Sequence, residues 1–330
     1  MKLIHKHTIA RIRKEYKKSK APWIIGFSGG KDSTALLKLV YLALRGLRKR
    51  EKIITVFYCD TGIEIPLMRK LAYKTLHGIR KEALSEKIPI NIRIVKPKMK
   101  DRFFVNVIGK GYPPPTNKFR WCTDRLRINP SKGLYKDRGV ILLGVRNGES
   151  QERDKIISKH KIASYYYKHV QNSRAVIFSP IVNYETQDVW DLLLSNGRPN
   201  SIDGAKLASL YSCTGTVQKG SVGRRFGCWV CTVVRKDRAM EGLVNEGVPY
   251  LEHLLSYRNW LMQIREQPSY RFKKRRNGVS GMGSFTLLAR REMLSRLLKT
   301  QRKLPWKLTT KKEVAYIKKI WQKERVSISI

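Results

Sequence analysis

The chain has 330 residues, 42% of them hydrophobic, which is enough to build a real core as one large α/β domain with an appendage or as two modest domains. Lys and Arg number 69 against 25 Asp and Glu, a formal charge of +44 spread along the whole sequence, so the expected counterpart is a polyanion, nucleic acid ahead of an acidic protein partner. The basic amino terminus lacks an apolar core of signal-peptide length and no apolar run is long enough to span a bilayer uncharged, so a cytoplasmic protein without a membrane partner is expected. Five cysteines, an odd number with two of them in a CxxC, argue for metal, cluster or thiol chemistry rather than disulfides.

The first predicted element is the run "APWIIGFS", short, apolar and ending in small residues. It is followed by Leu36, Leu37, Leu39, Val40, Leu44 and Leu47 at helix-compatible spacings, which reads as strand, glycine turn and helix. A second run, "KIITVFYCDTG", ends in Asp-Thr-Gly, and a helical stretch after Pro66 leads to a third, "IPINIRIVKP". "GVILLGVR" and "AVIFSPI" complete the series, and strands alternating with helices predict an α/β fold with a parallel sheet. From about Asn200 a glycine- and cysteine-containing region gives way to helical, Arg-rich segments. The expected division is therefore a nucleotide-binding part, 1–200, and a mainly helical, basic, Cys-containing part, 201–330.

In parallel sheets ligands sit beyond the carboxyl ends of the strands. Three candidate segments fall there: Ser28 to Ser33, Asp60 to Gly62, and Gly144 onward. The first is not a Walker A loop, because Gly26 to Lys31 is one residue too short and Asp32 follows the lysine. It is a glycine pair, Gly29 and Gly30, flanked by Ser28 and Ser33 at a helix amino terminus with Lys31 between them. Backbone N–H groups there can grip a polyphosphate. The plainer reading is a tight turn in which the glycines supply backbone freedom and Asp32 or Ser33 caps the helix.

Cys228 and Cys231 form "GCWVC", which alone could be a redox pair, half of a zinc site or half of an iron–sulfur site. A four-thiolate set needs two more ligands, and Cys122 in "RWCTDRLRINP" and Cys213 in "LYSCTGT" supply them. Cys59 is left over as a small buried hydrophobe or a persulfide-carrying thiol. Two further stretches invite a nucleic-acid reading: "YYYKH" from Tyr165 to His169, as stacking platform or as packed strand edge, and the charge run "RFKKRRNG" from Arg271 to Gly278, as backbone contact or as solvated face.

"SGGKDS" as it stands resembles the loop of the PP-loop ATP pyrophosphatase family. In that family the loop cradles the β,γ-pyrophosphate and ATP is split to AMP and pyrophosphate. The resemblance implies a pyrophosphate site made by Ser28, Gly29, Gly30, Lys31, Asp32 and Ser33, with Mg²⁺ neutralising charge. It implies a place for Asp60 near Mg²⁺ or the ribose, and for Gly144 and Arg146 of "LLGVRNGES" at the α-phosphate or the activated acceptor. Lys31, Asp32 and Arg146 are the residues it makes catalytic. "SGGKDST", "CDTGIEIP", "RWCTDRLRINP", "LLGVRNGES" and "RFGCWVCTVVRKD", in this order, narrow the resemblance to the PAPS reductase-like branch, and within it to the DndC- and SspD-type sulfurtransferases of bacterial DNA phosphorothioation.

That likeness spans about residues 20 to 240 and implies ATP, a [4Fe–4S] cluster on Cys122, Cys213, Cys228 and Cys231, and DNA as acceptor. Its implied partners are a cysteine desulfurase as sulfur donor and the other DNA phosphorothioation proteins. A PAPS or APS reductase is a rival, but here the last cysteine is Cys231, far from the carboxy terminus, and no two cysteines are adjacent. A tRNA thiolase would suit the basic surface equally well, and a third reading is a subunit that binds ATP and nucleic acid without turnover.

Overall fold

The computed structural model describes residues 1–18, 20–134, 139–149, 151–169, 174–212 and 226–326. All five predicted apolar runs become strands of one sheet: β1 (Trp23–Phe27), β2 (Ile54–Cys59), β3 (Ile90–Val95), β4 (Gly139–Leu143) and, after a hairpin of β5 (Lys161–Ala163) and β6 (Tyr166–Lys168), β7 (Ala175–Phe178). Their order is β3-β2-β1-β4-β7-β6-β5. β3, β2, β1, β4 and β7 run parallel, and β6 and β5 close one edge antiparallel. Trp23 of β1 pairs with Ile54 on one side and Val140 on the other, so β1 lies inside the sheet. That position explains its unbroken apolar sequence, because a parallel strand covered on both faces has no polar side to show.

Helix α1 (Leu3–Lys18) buries Ile9, Ile12 and Tyr16 along one stripe and packs on α2 (Lys31–Arg45). α2 is buried nearly all round, from Ala35 through Leu44, which is why its apolar residues do not keep to a single face. Even Lys38 is internal: its ammonium donates to the Leu192 and Ser195 carbonyls at 2.8 Å each, fixing the end of the helix Thr186–Leu194 against α2. The aromatic run resolves as packing. Tyr167 is buried, Tyr166 stacks on Phe178 at 5.0 Å, and Arg11 lies 3.8 Å over the Tyr165 ring.

The chain forms two compact units that interleave in sequence. One comprises Met1–Cys59, Pro66–Val95 and Ser131–Phe226, and the other Asp60–Ile65, Lys96–Pro130 and Gly227–Ile330. This differs from the sequential division at residue 200. The segments that follow β2 and β3 leave the sheet unit and the chain then returns to it, a path that a composition boundary cannot register. The second unit is mainly helical, as expected, with helices Arg238–Asn245, Leu251–Arg265, Leu287–Arg302 and Lys311–Val326 around buried Phe103, Phe104, Val105, Val107 and Ile108. Its core contains a π-helical turn, Val105–Gly109, whose carbonyls take side-chain donors: Trp321 Nε1 to Ile108 O at 2.9 Å and Arg290 Nη1 to Gly109 O at 2.6 Å. No described helix is long and apolar enough to cross a membrane.

Candidate active site

The strand order reverses between β1 and β4: from β1 the chain steps outward to β2 and β3, and the other half of the sheet begins at β4. In an open parallel sheet the crevice outside the strand ends at that point is where a ligand fits. The loops leaving these two strands carry Ser28 to Ser33 and Gly144 to Arg146, so eight of the predicted site residues meet in the sheet unit.

The first loop turns because Gly29 has φ +77°, and a side chain there would also meet the Ala72 Cβ at 2.9 Å. Gly30 is the extended N-cap of α2 and provides no side-chain cap, so the first N–H groups of the helix are not covered by the loop's own side chains. Hydroxyls hold the loop closed: Ser33 Oγ donates to Gly30 O at 3.0 Å and accepts the Ser28 N–H at 3.1 Å, with Ser28 Oγ 3.0 Å away. The Lys31 N–H donates to the Tyr211 hydroxyl at 3.3 Å.

Charge converges on Asp32. Lys31 Nζ lies 2.9 Å from its Oδ2 and Arg146 Nε 2.6 Å from its Oδ1, while Lys31 and Arg146 are 3% and 5% exposed. Arg146 is itself held by donating to Tyr184 O at 2.9 Å and Thr186 Oγ1 at 3.3 Å. One carboxylate between two buried cations leaves a net positive charge, and it sits at the positive end of a helix. The arrangement depends on Gly144, because a Cβ there would come within 2.7 Å of the Asp32 backbone. β4 can approach α2 this closely only without a side chain.

Asp60, Cys122, Cys228 and Cys231 belong to the second unit. Asp60 is buried and closes the Asp-Thr-Gly turn: its Oδ1 accepts the Gly62 N–H at 3.2 Å, and its Oδ2 faces Lys96 Nζ at 3.6 Å. Gly62 has φ +79°, the conformation that lets the turn form. Glu64, in the same turn, accepts from the Thr61 N–H at 3.0 Å and pairs as a β-bridge with Cys228, while the Trp229 N–H donates to Ile63 O at 2.9 Å.

Cys122, Cys228 and Cys231 are free, part-exposed thiols that feel one another electrostatically. Burial pushes Cys228 up to about 12, with nearby Arg127 (Nη2 to Sγ 3.8 Å) opposing and Glu64 and the other two cysteines adding to the rise. Cys122 is raised too, by burial first and Cys231 second. Cys213 lies outside the described residues. Among the described residues no three His, Cys, Asp or Glu side chains are grouped to hold a metal ion. A single tetrahedral zinc at Zn–S of about 2.3 Å needs tighter convergence than an iron–sulfur cluster, whose ligand sulfurs stand farther apart. Cys59 ends β2 in the sheet unit and is part-exposed.

Two arginines that sequence reasoning did not single out support the CxxC loop. Arg258 is fully buried and donates to Cys231 O at 2.9 Å, to Arg235 O at 3.1 Å and to Val234 O. Arg265, about two turns further along the same face of the helix, donates to Thr232 O at 3.1 Å and Pro115 O at 3.2 Å. In sequence both read as charges on an ordinary basic helix. Tyr184, Thr186 and Tyr211 were likewise missed, and only Thr186 carried a local signal, the Glu185–Asp188 capping box at its helix start.

The sequence pattern of the phosphoadenosine phosphosulfate reductase domain matches residues 22–234, and the chain belongs to that family. It is 26% identical over 230 residues to an uncharacterized protein of Methanocaldococcus jannaschii, covering 68% of this chain and 39% of that protein, so the chain spans well under half the length of this relative. Among solved structures, the U34-tRNA thiolase NcsA of Methanococcus maripaludis with its [4Fe–4S] cluster is 12% identical over 79% of this chain and 80% of its own, at a TM-score of 0.37. The phosphoadenylyl-sulfate reductase of Candida auris is 12% identical over 58% and 77%, at 0.36. The NH3-dependent NAD synthetase of Campylobacter jejuni is 14% identical over 79% and 93%, also at 0.36.

Proposed function

We propose that this member of the phosphoadenosine phosphosulfate reductase domain family is an ATP-dependent sulfurtransferase that adenylates a DNA backbone phosphate and takes part in replacing a non-bridging oxygen by sulfur. The observation that carries the reading is Asp32 clamped between buried Lys31 and Arg146 at the amino terminus of α2. This is a preorganised cationic seat for a leaving pyrophosphate.

In the first step an oxygen of the acceptor phosphate attacks the α-phosphorus of ATP, forming a P–O–P linkage as the bond to pyrophosphate breaks. Lys31 and the N–H groups of the first turn of α2 stabilise the negative charge that builds on the leaving group, where Mg²⁺ brought with ATP would supply further countercharge. Asp32 orients both cations, and Arg146 is positioned by Tyr184 and Thr186. Asp60, whose Oδ2 already faces a cation, is assigned to Mg²⁺ or the ribose. In the second step hydrosulfide attacks the acceptor phosphorus and AMP leaves with the original oxygen; a desulfurase persulfide yields that hydrosulfide when a second thiol reduces its S–S bond and is itself oxidised to the disulfide. Adenylation is needed because a bare phosphate oxygen is a very poor leaving group.

Soft thiolates suit an iron–sulfur cluster, and Cys122, Cys228 and Cys231 with Cys213 are the residues that would hold a [4Fe–4S] cluster. When bound it would supply a relay point for sulfur and a cross-link for the CxxC loop. The sulfur donor expected is a cysteine desulfurase, with other DNA phosphorothioation proteins as partners. A charge of +44 supports a polyanionic acceptor.

The test is mass spectrometry of nuclease-digested DNA and tRNA from cells with and without the gene. Phosphorothioate-linked dinucleotides that disappear from the DNA on deletion are the expected result. Unchanged DNA together with loss of a thiolated tRNA base would overturn the DNA assignment and leave adenylation standing.

A further inference from the structure

Residues 272–282 are all exposed and form a two-stranded ribbon in the second unit. The strands are joined by antiparallel bridges, Arg271 with Phe285 and Lys274 with Ser280. Backbone bonds run from Phe272 N to Ser284 O at 2.9 Å, Gly281 N to Lys273 O at 2.8 Å and Arg275 N to Val279 O at 2.8 Å. The return turn uses Gly278 at φ +82°, and Gly283 lies so close to the Lys274 carbonyl that a side chain there would collide with it. Its base is fixed from inside. Arg271 is buried, donates to Gly283 O at 2.6 Å and Arg265 O at 2.8 Å, and stands 4.9 Å over the Phe285 ring.

The ribbon carries Lys273, Lys274, Arg275 and Arg276 in succession, and residues 267–291 contain no Asp or Glu. Arg276 is tied back, its guanidinium 4.6 Å over the Tyr112 ring and donating to Lys110 O. Among the described residues no carboxylate pairs with Lys273, Lys274 or Arg275. Interleaved with the cations are Phe272, Val279 and Met282, each between 43% and 52% exposed. A rigidly based, carboxylate-free cationic ribbon with apolar side chains along it is built for a polyanion that has a groove.

We infer that residues 272–282 are a β-ribbon arm that enters the major groove of duplex DNA, an inference that rests on the nucleic-acid acceptor proposed above and narrows it to the duplex form. The B-form major groove, about 12 Å wide, admits a two-stranded ribbon and presents thymine methyl groups to apolar side chains. The major groove of A-form RNA is deep and too narrow for side chains to read, so tRNA offers the arm no equivalent seat. Lys273, Lys274 and Arg275 meet backbone phosphates, which position the arm without reading sequence.

The experiment is equilibrium binding, without ATP, of the full chain to a short DNA duplex and to tRNA across a salt series. The variants are Lys273→Ala/Lys274→Ala/Arg275→Ala and, separately, Gly283→Ala, which keeps every cation but disturbs the ribbon. For the triple variant the duplex affinity is expected to fall at least tenfold, and the slope of log K against log salt to shrink by about 2–3, since each B-DNA phosphate contact contributes about 0.9. Gly283→Ala should lose duplex affinity as well, and tRNA binding should change little in either variant. An unchanged duplex slope in the triple variant, or a loss on tRNA as large as on the duplex, overturns the arm assignment. Because the DNA-acceptor reading is judged by the loss of phosphorothioate-linked dinucleotides on gene deletion, which needs no binding measurement, failure of one is distinguishable from failure of the other.

Discussion

The Ser28–Ser33 loop, the proposed phosphate loop, and the CxxC loop present opposite ways of building a site. At the phosphate loop the working groups are neighbours in sequence or lie at the end of the adjacent strand, and sheet register brings Gly144 to Asp32. At the CxxC loop the thiols come from distant segments, and the supporting groups, Arg258 and Arg265, sit on a helix that contributes no thiol. The first site is written in motifs, whereas the second depends on side chains whose role only the folded chain defines. Substitutions should therefore separate the two sites cleanly.

The largest effect is expected at the phosphate loop. Lys31→Ala removes the cation proposed to face the leaving group and should lower ATP-dependent pyrophosphate release by about 10²–10³-fold, the size seen when one preorganised electrostatic donor is lost. Gly144→Ala should match it without touching a charged group, because its Cβ would force the Asp32 backbone to move. Iron content after anaerobic reconstitution should stay at the parental value in both. Loss of iron in either variant would mean that the two regions are not independent.

Arg258→Met makes the complementary cut. It leaves the Cys231, Val234 and Arg235 carbonyls without their donor, at about 1–3 kcal/mol for each that stays dry, so the unfolding midpoint should drop. Iron retention should fall although no thiol has changed, and ATP binding by the parental loop should persist. An Arg258→Met chain that keeps full iron and full stability would show that the CxxC loop holds its shape by itself.

A pH dependence follows from the raised thiols. In cluster-free protein Cys228 keeps its proton up to about pH 12, whereas in the unfolded chain it loses it near the ordinary thiol value of 9.0. Between those values the folded state binds more protons than the unfolded one, so stability is present below about pH 9 and is lost as pH rises toward 12. Alkylation of Cys228 at pH 8 should accordingly be slower than that of a free thiol. Faster alkylation would mean that Arg127, 3.8 Å from the sulfur, outweighs burial.

How much of this was legible follows from the same contrast. Strands β1 and β4 announce themselves because buried parallel strands are apolar on both faces, β2, β7 and the exposed edge strand β3 only as apolar runs between turn signals, and the glycines of the phosphate loop because backbone approach demands them. β5 was not legible, being three exposed residues at the sheet edge, and β6 only through the packed-strand-edge reading of Tyr165 to His169. The unit boundary was hidden for a different reason: residues 60–65 and 96–130 belong by contact to helices more than a hundred residues later. Arg146 was found through its motif, but its grip on Asp32, Tyr184 and Thr186 is a product of the fold.

Tyr211 gives the smallest and most discriminating effect. Its hydroxyl takes the Lys31 N–H at 3.3 Å, one of the donors that a pyrophosphate oxygen would need, and its ring is wedged between Trp190 at 5.2 Å and Phe226 at 4.8 Å. Binding of the nucleotide must displace the phenol oxygen from that amide, and one neutral hydrogen bond is worth about 0.5–1.5 kcal/mol net. Tyr211→Phe keeps the ring packing and removes the competitor for the Lys31 N–H, so the KM for ATP should fall about two- to tenfold with kcat unchanged. A rise in KM would instead place the phenol among the groups that hold the nucleotide. A fall in kcat at constant KM would assign it to the leaving pyrophosphate, because only an interaction gained in the transition state changes kcat alone.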